Sequence, residues 1–296
     1  TIIVIEDNIR YYSSFLPSMY TDVMQHTRSL VPEGVNLAHK LLRSKARPKI
    51  LLCDNYEDAW DYFSTYQENV LGIVSDVEFP KDGQKCLDAG IQFAARVREL
   101  MPDVPVVLQS GKQENEELAR QAGRAFLRKG SPTLLTELRA FMLENFGFGD
   151  FIFRMPNGEE VGRARDLKSL EKELRLVPAE SVAHHAAHNH FSVWLKAHTE
   201  FSIAHQLRPK KLSDFKSDKD LRENLIEAIR THREVRRRAV VTDFSPERFD
   251  PDRGFARLGA GSLGGKARGL ALANLLLTEL DLSTRFPTVN IEVPPT

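Results

Sequence analysis

From residue 1 to about 146, short apolar runs alternate with longer stretches in which apolar residues return every three or four positions. The runs IIVIED (2–7), KILLCD (49–54), LGIVSD (71–76), VPVVLQS (104–110) and AFLRK (125–129) are too short for helices, and several are rich in β-branched residues; this predicts strands. NYEDAWDYFSTYQENV, QKCLDAGIQFAARVRELM and ENEELARQAG carry helical spacing, and the last closes on Gly123, a helix stop. Continuously apolar strands need cover on both faces, so a helix after each strand predicts a parallel sheet between two helical layers. The expected fold class is α/β, with a five-stranded doubly wound parallel sheet over 1–146.

Past ENFGFGDFIFRMPNGEEVGRA the pattern changes. Glycines and aromatics gather there, and PNGEE predicts a hairpin-like turn. From about 166 to 240 the spacing is helical, in DLKSLEKELRLV, PAESVAHHAAHNHFSVWLKAHTEFSIAHQL and SDKDLRENLIEAIRTHREVRRR. The expected organisation is three parts: 1–146 the sheet domain, 147–254 a mainly helical module, and 255–296 a short β/α piece.

Composition narrows the function classes. Lys+Arg and Asp+Glu both number 41, so no global field draws the chain to nucleic acid or an anionic membrane. Only Cys53 and Cys86 occur, without a pairing framework, which favours a reducing compartment. No apolar run approaches the ~20 residues that span a bilayer, and no signal peptide opens the chain, so the expected location is cytoplasmic. The chain opens inside a strand and stops on a strand-like run, VNIEVPPT, and is therefore expected to be a piece of a longer protein.

In open parallel sheets the working site lies beyond the carboxyl ends of the strands. The residues at those ends are Glu6 and Asp7, Asp76, Ser110 and Lys129. Carboxylates held together repel, so keeping them ionised requires a cation, and hard oxygen ligands with room for water suit Mg²⁺. A carboxylate oxygen could then attack a phosphoryl group held by Lys129 and the Ser110 hydroxyl, giving an aspartyl phosphate. Each residue also has a plainer reading. A strand ends in Asp because the chain needs a turn former, Lys129 is a solvated strand end, and Ser110 before Gly111 is turn chemistry. What favours the chemical reading is that all of them fall on one edge.

The acidic pair in VIEDN, the acceptor with its following Pro in SDVEFPKDG, the hydroxyl in LQSGK and the Lys in FLRKGSP together resemble the receiver domain of two-component response regulators. That resemblance implies a flavodoxin-like sheet of order 2-1-3-4-5. It makes Asp76 the phosphoacceptor, sets Glu6 and Asp7 on Mg²⁺ with Asp76 and Glu78 as further candidate ligands, and directs Ser110 and Lys129 to the phosphoryl group. Phe126 matches the aromatic switch, and the implied partner is a histidine kinase or a small phosphodonor. A homodimer is compatible with it; nucleic acid and membrane are not implied.

Three departures from the family stand out. The stretch from Asp7 to Asp76 is longer, its surplus lying in LVPEGVNLAHKLLRSKARP, which is expected to carry an interface. Gly130 follows the Lys where the family has a cis Pro, so the loop presenting Lys129 is expected to be set differently. Glu78 and Lys112 flank the phosphoryl position, and a contact between them would obstruct the water that hydrolyses an acyl phosphate, giving slow dephosphorylation. A rival reading is a phosphorylation-inactive receiver that serves as a docking or dimerisation scaffold.

In the second half, His184, His185 and His188 have the three- and four-residue spacing of zinc ligands. No His-Glu-x-x-His occurs, and polar faces or backbone-bonded rings are the favoured reading; Phe191 and Trp194 read as core. Arg233, Arg236, Arg237 and Arg238 read as cations at a helix C-terminus rather than a nucleic-acid patch. LGAGSLGGKARGLALANLLL puts a Gly-rich loop before a helix, where backbone N–H groups can hold phosphate. It is not a Walker A loop, since Ala260 and Ala267 replace the required Gly and Ser/Thr. It resembles the start of the ATP-grasp domain of pyruvate phosphate dikinase and phosphoenolpyruvate synthase, in which Lys266 would approach ATP phosphates. The whole string is similar to bacterial proteins that join a receiver-like domain and a helical spacer to a dikinase-type domain. By that resemblance ATP belongs to the complete parent protein, and this chain alone is not expected to transfer phosphoryl groups from it.

Overall fold

In the computed structural model of the chain, the described residues are 1–31, 41, 43–208, 212–237, 242–244, 256–258, 264–279, 286 and 288–289. Two compact units divide the chain: Thr1–Thr27 with Ala46–Ile226, and Arg28–Lys45 with Glu227–Thr296. The first unit thus continues well past residue 146.

It begins with β1 (Ile2–Ile5), α1 (Ile9–Leu30), β2 (Ile50–Cys53), α2 (Tyr56–Tyr66) and β3 (Gly72–Asp76). A small hairpin of β4 (Phe79–Lys81) and β5 (Gln84–Cys86) follows, then α3 (Ala89–Leu100), β6 (Val106–Ser110), α4 (Glu114–Gln121), β7 (Ala125–Arg128) and α5 (Leu134–Asn145). All five expected strands form, and they pair in parallel in the order β2-β1-β3-β6-β7. Alternate residues feed opposite faces. Ile3, Ile5, Ile73, Val106 and Leu108 pack with Ala59 and Phe63 of α2 and Phe93 and Val97 of α3. Ile2, Val4, Val74, Val107 and Leu127 pack with Phe15 and Met19 of α1 and Leu138 and Met142 of α5. Helices therefore cover both sides, which is why these strands carry no polar alternation.

Residues 84–86 correct one expectation. They read as the start of a helix, yet they form β5, and α3 starts only at Ala89. Asp82 and Gly83 adopt φ of 53° and 73°, the two positive values of a tight hairpin turn, and Phe79 pairs with Cys86. Asn55 caps α2 by accepting from the Asp58 N–H, and Gly123, at φ 65°, ends α4 as expected.

The rest of this unit is a hairpin and helices. PNGEE does turn β8 (Phe151–Arg154) onto β9 (Glu160–Ala164), which pair antiparallel. Then come α6 (Leu167–Leu176), α7 (Ala179–Ala187), α8 (His190–Ala197), α9 (Phe201–Leu207) and α10 (Asp218–Arg237), of which the part up to Ile226 belongs to this unit. The long helical string 178–207 is broken twice, where Asn189 and Thr199 take φ of 52° and 63°. Phe146 and Phe148 bury with the α1/α5 side of the sheet core, together with Ala197 of α8. Gly72 makes the room, since a Cβ there would fall 1.9 Å from the Phe146 ring. The Trp194 indole N–H donates to Gly149 O at 2.9 Å, and the Lys196 ammonium to Glu68 O at 2.6 Å.

In the second unit, β10 (Thr242–Asp243) pairs in parallel with β11 (Ala256–Arg257), and α11 spans Gly265–Glu279. Most of the surplus segment 30–48, the loop 259–263, Arg238 and the terminal run 290–296 lie outside the described residues. Among the described residues no helix is long and apolar enough to cross a membrane, and both cysteines are free.

Candidate functional site

The buried strand β1 delivers Glu6 at its carboxyl end with 1% exposure, and Asp7 follows it into solvent. β3 ends on Asp76, 9% exposed, and β7 is followed by Lys129, 8% exposed. Because Ile5 pairs with Ser75, Glu6 and Asp76 leave adjacent strands at the same level. The Lys129 ammonium lies between them, 2.6 Å from Asp76 Oδ2 and 2.5 Å from Glu6 Oε2. It also sits 4.5 Å from the centre of the Tyr11 ring, a cation–π contact. The second oxygens are held by the backbone: the Val77 N–H donates to Asp76 Oδ1 at 2.7 Å, and the Asn8 N–H to Glu6 Oε1 at 3.2 Å. Gly130 follows Lys129 at φ 80°, a turn no cis bond is needed for.

One oxygen each of Glu6, Asp7 and Asp76 lie within 4.8 Å of one another. Three carboxylates facing one ammonium leave an excess of negative charge. Burial pushes the Glu6 carboxyl up to about 7 in spite of Lys129, and burial also raises Asp76 above the usual carboxylate range. The donor set is hard oxygen and part of it is open to water, which fits Mg²⁺ rather than a thiophilic metal.

A second cluster adjoins the first. The Ser110 hydroxyl oxygen accepts from the Asn115 side-chain amide at 2.9 Å and from the Lys112 N–H at 3.2 Å. Asn115, buried in the first turn of α4, also donates to Glu78 Oε1 at 3.1 Å. Glu78 meets the Lys112 ammonium at 2.6 Å and the Lys85 ammonium at 3.5 Å. Burial alone would raise the Glu78 carboxyl, but hydrogen bonds from Lys112 and Asn115 and the charges of Lys112 and Lys85 hold it below its ordinary value. Glu78, grouped by the sequence with the metal ligands, is therefore turned to these cations and this amide instead. The Glu78 to Lys112 contact is the one expected from their spacing.

The remaining candidates fall elsewhere. Phe126 pairs with Leu108 and is half-buried against the core shared with α2 and α3. Lys266 is exposed in the first turn of α11, in the second unit. Of the histidines, His185 Nε2 accepts from the Arg154 N–H at 2.7 Å, so its Nδ1 carries the proton and meets His190 Nδ1 at 2.9 Å. His188 Nδ1 lies 2.7 Å from His184 O. These rings are bonded to backbone and to one another, as the backbone-bonded reading expects, while His185 is buried rather than on a polar face.

Sequence reasoning missed Tyr11, Asn115 and Gly90. A Cβ on Gly90 would fall 2.1 Å from Asp76 O, and its N–H donates to Val77 O at 3.0 Å, so the start of α3 braces the Asp76 turn. No local pattern signals the Tyr11 to Lys129 and Asn115 to Glu78 contacts, because each joins elements that are distant in sequence. No protein-family model matches the chain, and no curated protein matches it.

Proposed function

We propose that residues 1–146 are a flavodoxin-like receiver module of the two-component type, in which Asp76 accepts a phosphoryl group with Mg²⁺ as cofactor. The observation that carries this reading is the meeting of Glu6, Asp7, Asp76 and Lys129 at the carboxyl edge of a parallel sheet. Glu6, Asp7 and Asp76 would hold the metal, which when bound neutralises charge on the carboxylates and on phosphoryl oxygens. An Asp76 carboxylate oxygen attacks phosphorus; the bond from phosphorus to the donor's imidazole nitrogen or acyl oxygen breaks, and the leaving group takes the electron pair. The Val77 N–H keeps the carboxylate oriented for attack. Lys129, already bonded to Asp76, neutralises charge on the transferred group, and the Ser110 hydroxyl donates to one of its oxygens. Phe126 then packs inward as Ser110 moves, a shift of population between two states.

In this reading the phosphodonor is a histidine kinase or a small acyl phosphate. The signal passes through the helical segment to a dikinase-like, ATP-grasp domain of which 255–296 is the first part and in which Lys266 would approach ATP phosphates, in a cytoplasmic protein. Acetyl phosphate with Mg²⁺ should label the chain at one site, and Asp76→Asn should abolish the label; labelling that survives this substitution or ignores Mg²⁺ rejects the proposal.

A second reading is supported by Lys129 itself. Its ammonium already satisfies both Glu6 and Asp76, as a scaffold that keeps the fold without the chemistry would require. That phosphorylation-inactive module, serving docking or dimerisation, takes up neither acetyl phosphate nor beryllofluoride.

A further inference from the structure

We propose that Asn115 is a latch that holds Ser110 and Glu78 in the resting arrangement and must release Ser110 when Asp76 carries a phosphoryl group. The inference rests on the receiver reading and deepens it by naming a positioning residue.

The Asn115 side-chain nitrogen has two hydrogens. One goes to Ser110 Oγ at 2.9 Å and the other to Glu78 Oε1 at 3.1 Å. The residue is 3% exposed, so water cannot readily take the place of either acceptor. In the resting state this buried amide donor is therefore fully used. Its two acceptors lie on different segments, Ser110 as the last residue of β6 and Glu78 in the turn after β3. Ser110 accepts a second bond from the Lys112 N–H, so its oxygen is held from two directions.

A hydroxyl that turns to a phosphoryl oxygen on Asp76 has to leave this position, and an Asn115 hydrogen then loses its acceptor inside the protein. The resting state is favoured by the value of that bond. Asn115 stands in the first turn of α4, so the strain of release is felt by the helix first. The latch thus sets how much of the population is poised to receive phosphate and links Ser110 to α4.

The test compares wild type with Asn115→Ala and with the near-isosteric Asn115→Leu, which protects against a failure of the smaller side chain to fold. Beryllofluoride, a phosphoryl mimic, is titrated in the presence of Mg²⁺, and Mg²⁺ alone is titrated in parallel by calorimetry. Losing the latch should tighten beryllofluoride binding about fivefold to thirtyfold, the range for one buried hydrogen bond. Affinity for Mg²⁺ alone should not change, because Asn115 touches none of the three clustered carboxylates. A merely structural role would weaken both. Unchanged or weaker beryllofluoride binding in both variants overturns the latch while leaving the receiver reading intact. No binding to wild type overturns the receiver reading and the latch with it.

Discussion

Lys129 stands between two buried carboxylates, and its removal leaves both without their cation. Lys129→Met should cost about 3–5 kcal/mol in urea unfolding at neutral pH, the usual effect of orphaning buried charges. Added Mg²⁺ should restore part of that loss if the carboxylates hold metal; equal stability with and without Lys129 would contradict the geometry. Glu78 allows a second residue-level expectation. On the proposed receiver reading its contact with Lys112, 2.6 Å long, flanks the phosphoryl position and screens water from it. In Glu78→Ala the acyl phosphate should hydrolyse on the order of tenfold faster, a barrier change of about 1.4 kcal/mol, read as loss of label with time. An unchanged half-life would show that the pair does not screen water. At this scale Glu6, Asp7, Asp76 and Lys129 were legible in the sequence because strand ends announce themselves. Tyr11 and Asn115 were not, because nothing local distinguishes a Tyr or Asn that meets the site from one that faces solvent.

Elements show where local grammar succeeds. Five strands and the α4 stop follow from apolar runs and a glycine, since burial on both faces leaves a continuous apolar signature. Asp82-Gly83 is a strong turn signal, yet the β4–β5 hairpin is not legible in the sequence, because the next residues also fit the helical spacing of α3. The α7–α8 corner gives a pH expectation. His185 is buried against Phe151 and Phe153, and burial together with His190, His184, His188 and Arg154 lowers its imidazole to about 3. An unfolded chain takes up a proton near the ordinary value of 6.5 that the folded corner refuses. Stability should therefore be lost as pH falls from about 6.5 toward 3, at up to about 1.4 kcal/mol per pH unit for this one proton. His185→Gln, whose amide oxygen can still accept from Arg154, should flatten that slope in melts taken between pH 7 and 4. A slope that stays the same would place the acid sensitivity elsewhere.

Within the whole first unit, the sheet and the residues after 146 share one core. Phe146, Phe148 and Ala197 bury with the strands, and His26 on α1 contacts Phe148 O at 2.9 Å and Ala197 O at 2.8 Å. The sequence suggested a boundary at 146 because the pattern changes there, but a change of pattern does not measure contact. Trp60 packs against the sheet core and Trp194 lies in α8, so each reports on one part. Denaturation followed by fluorescence in Trp60→Phe and Trp194→Phe should give the same midpoint, as a single cooperative unit requires. An earlier loss of the Trp194 signal would make the helical segment a separate folding unit.

By itself the sequence determined the parallel sheet, its helical cover and the acidic and basic strand ends, because periodicity and the hydrophobic effect act on neighbours along the chain. Tertiary structure alone decided that Lys129 bridges Glu6 and Asp76, that Asn115 joins Ser110 to Glu78, and that Gly72 opens a seat for Phe146. Those contacts depend on how strands separated by tens of residues align, and a hydrogen bond or a fitted ring has no signature until that alignment exists.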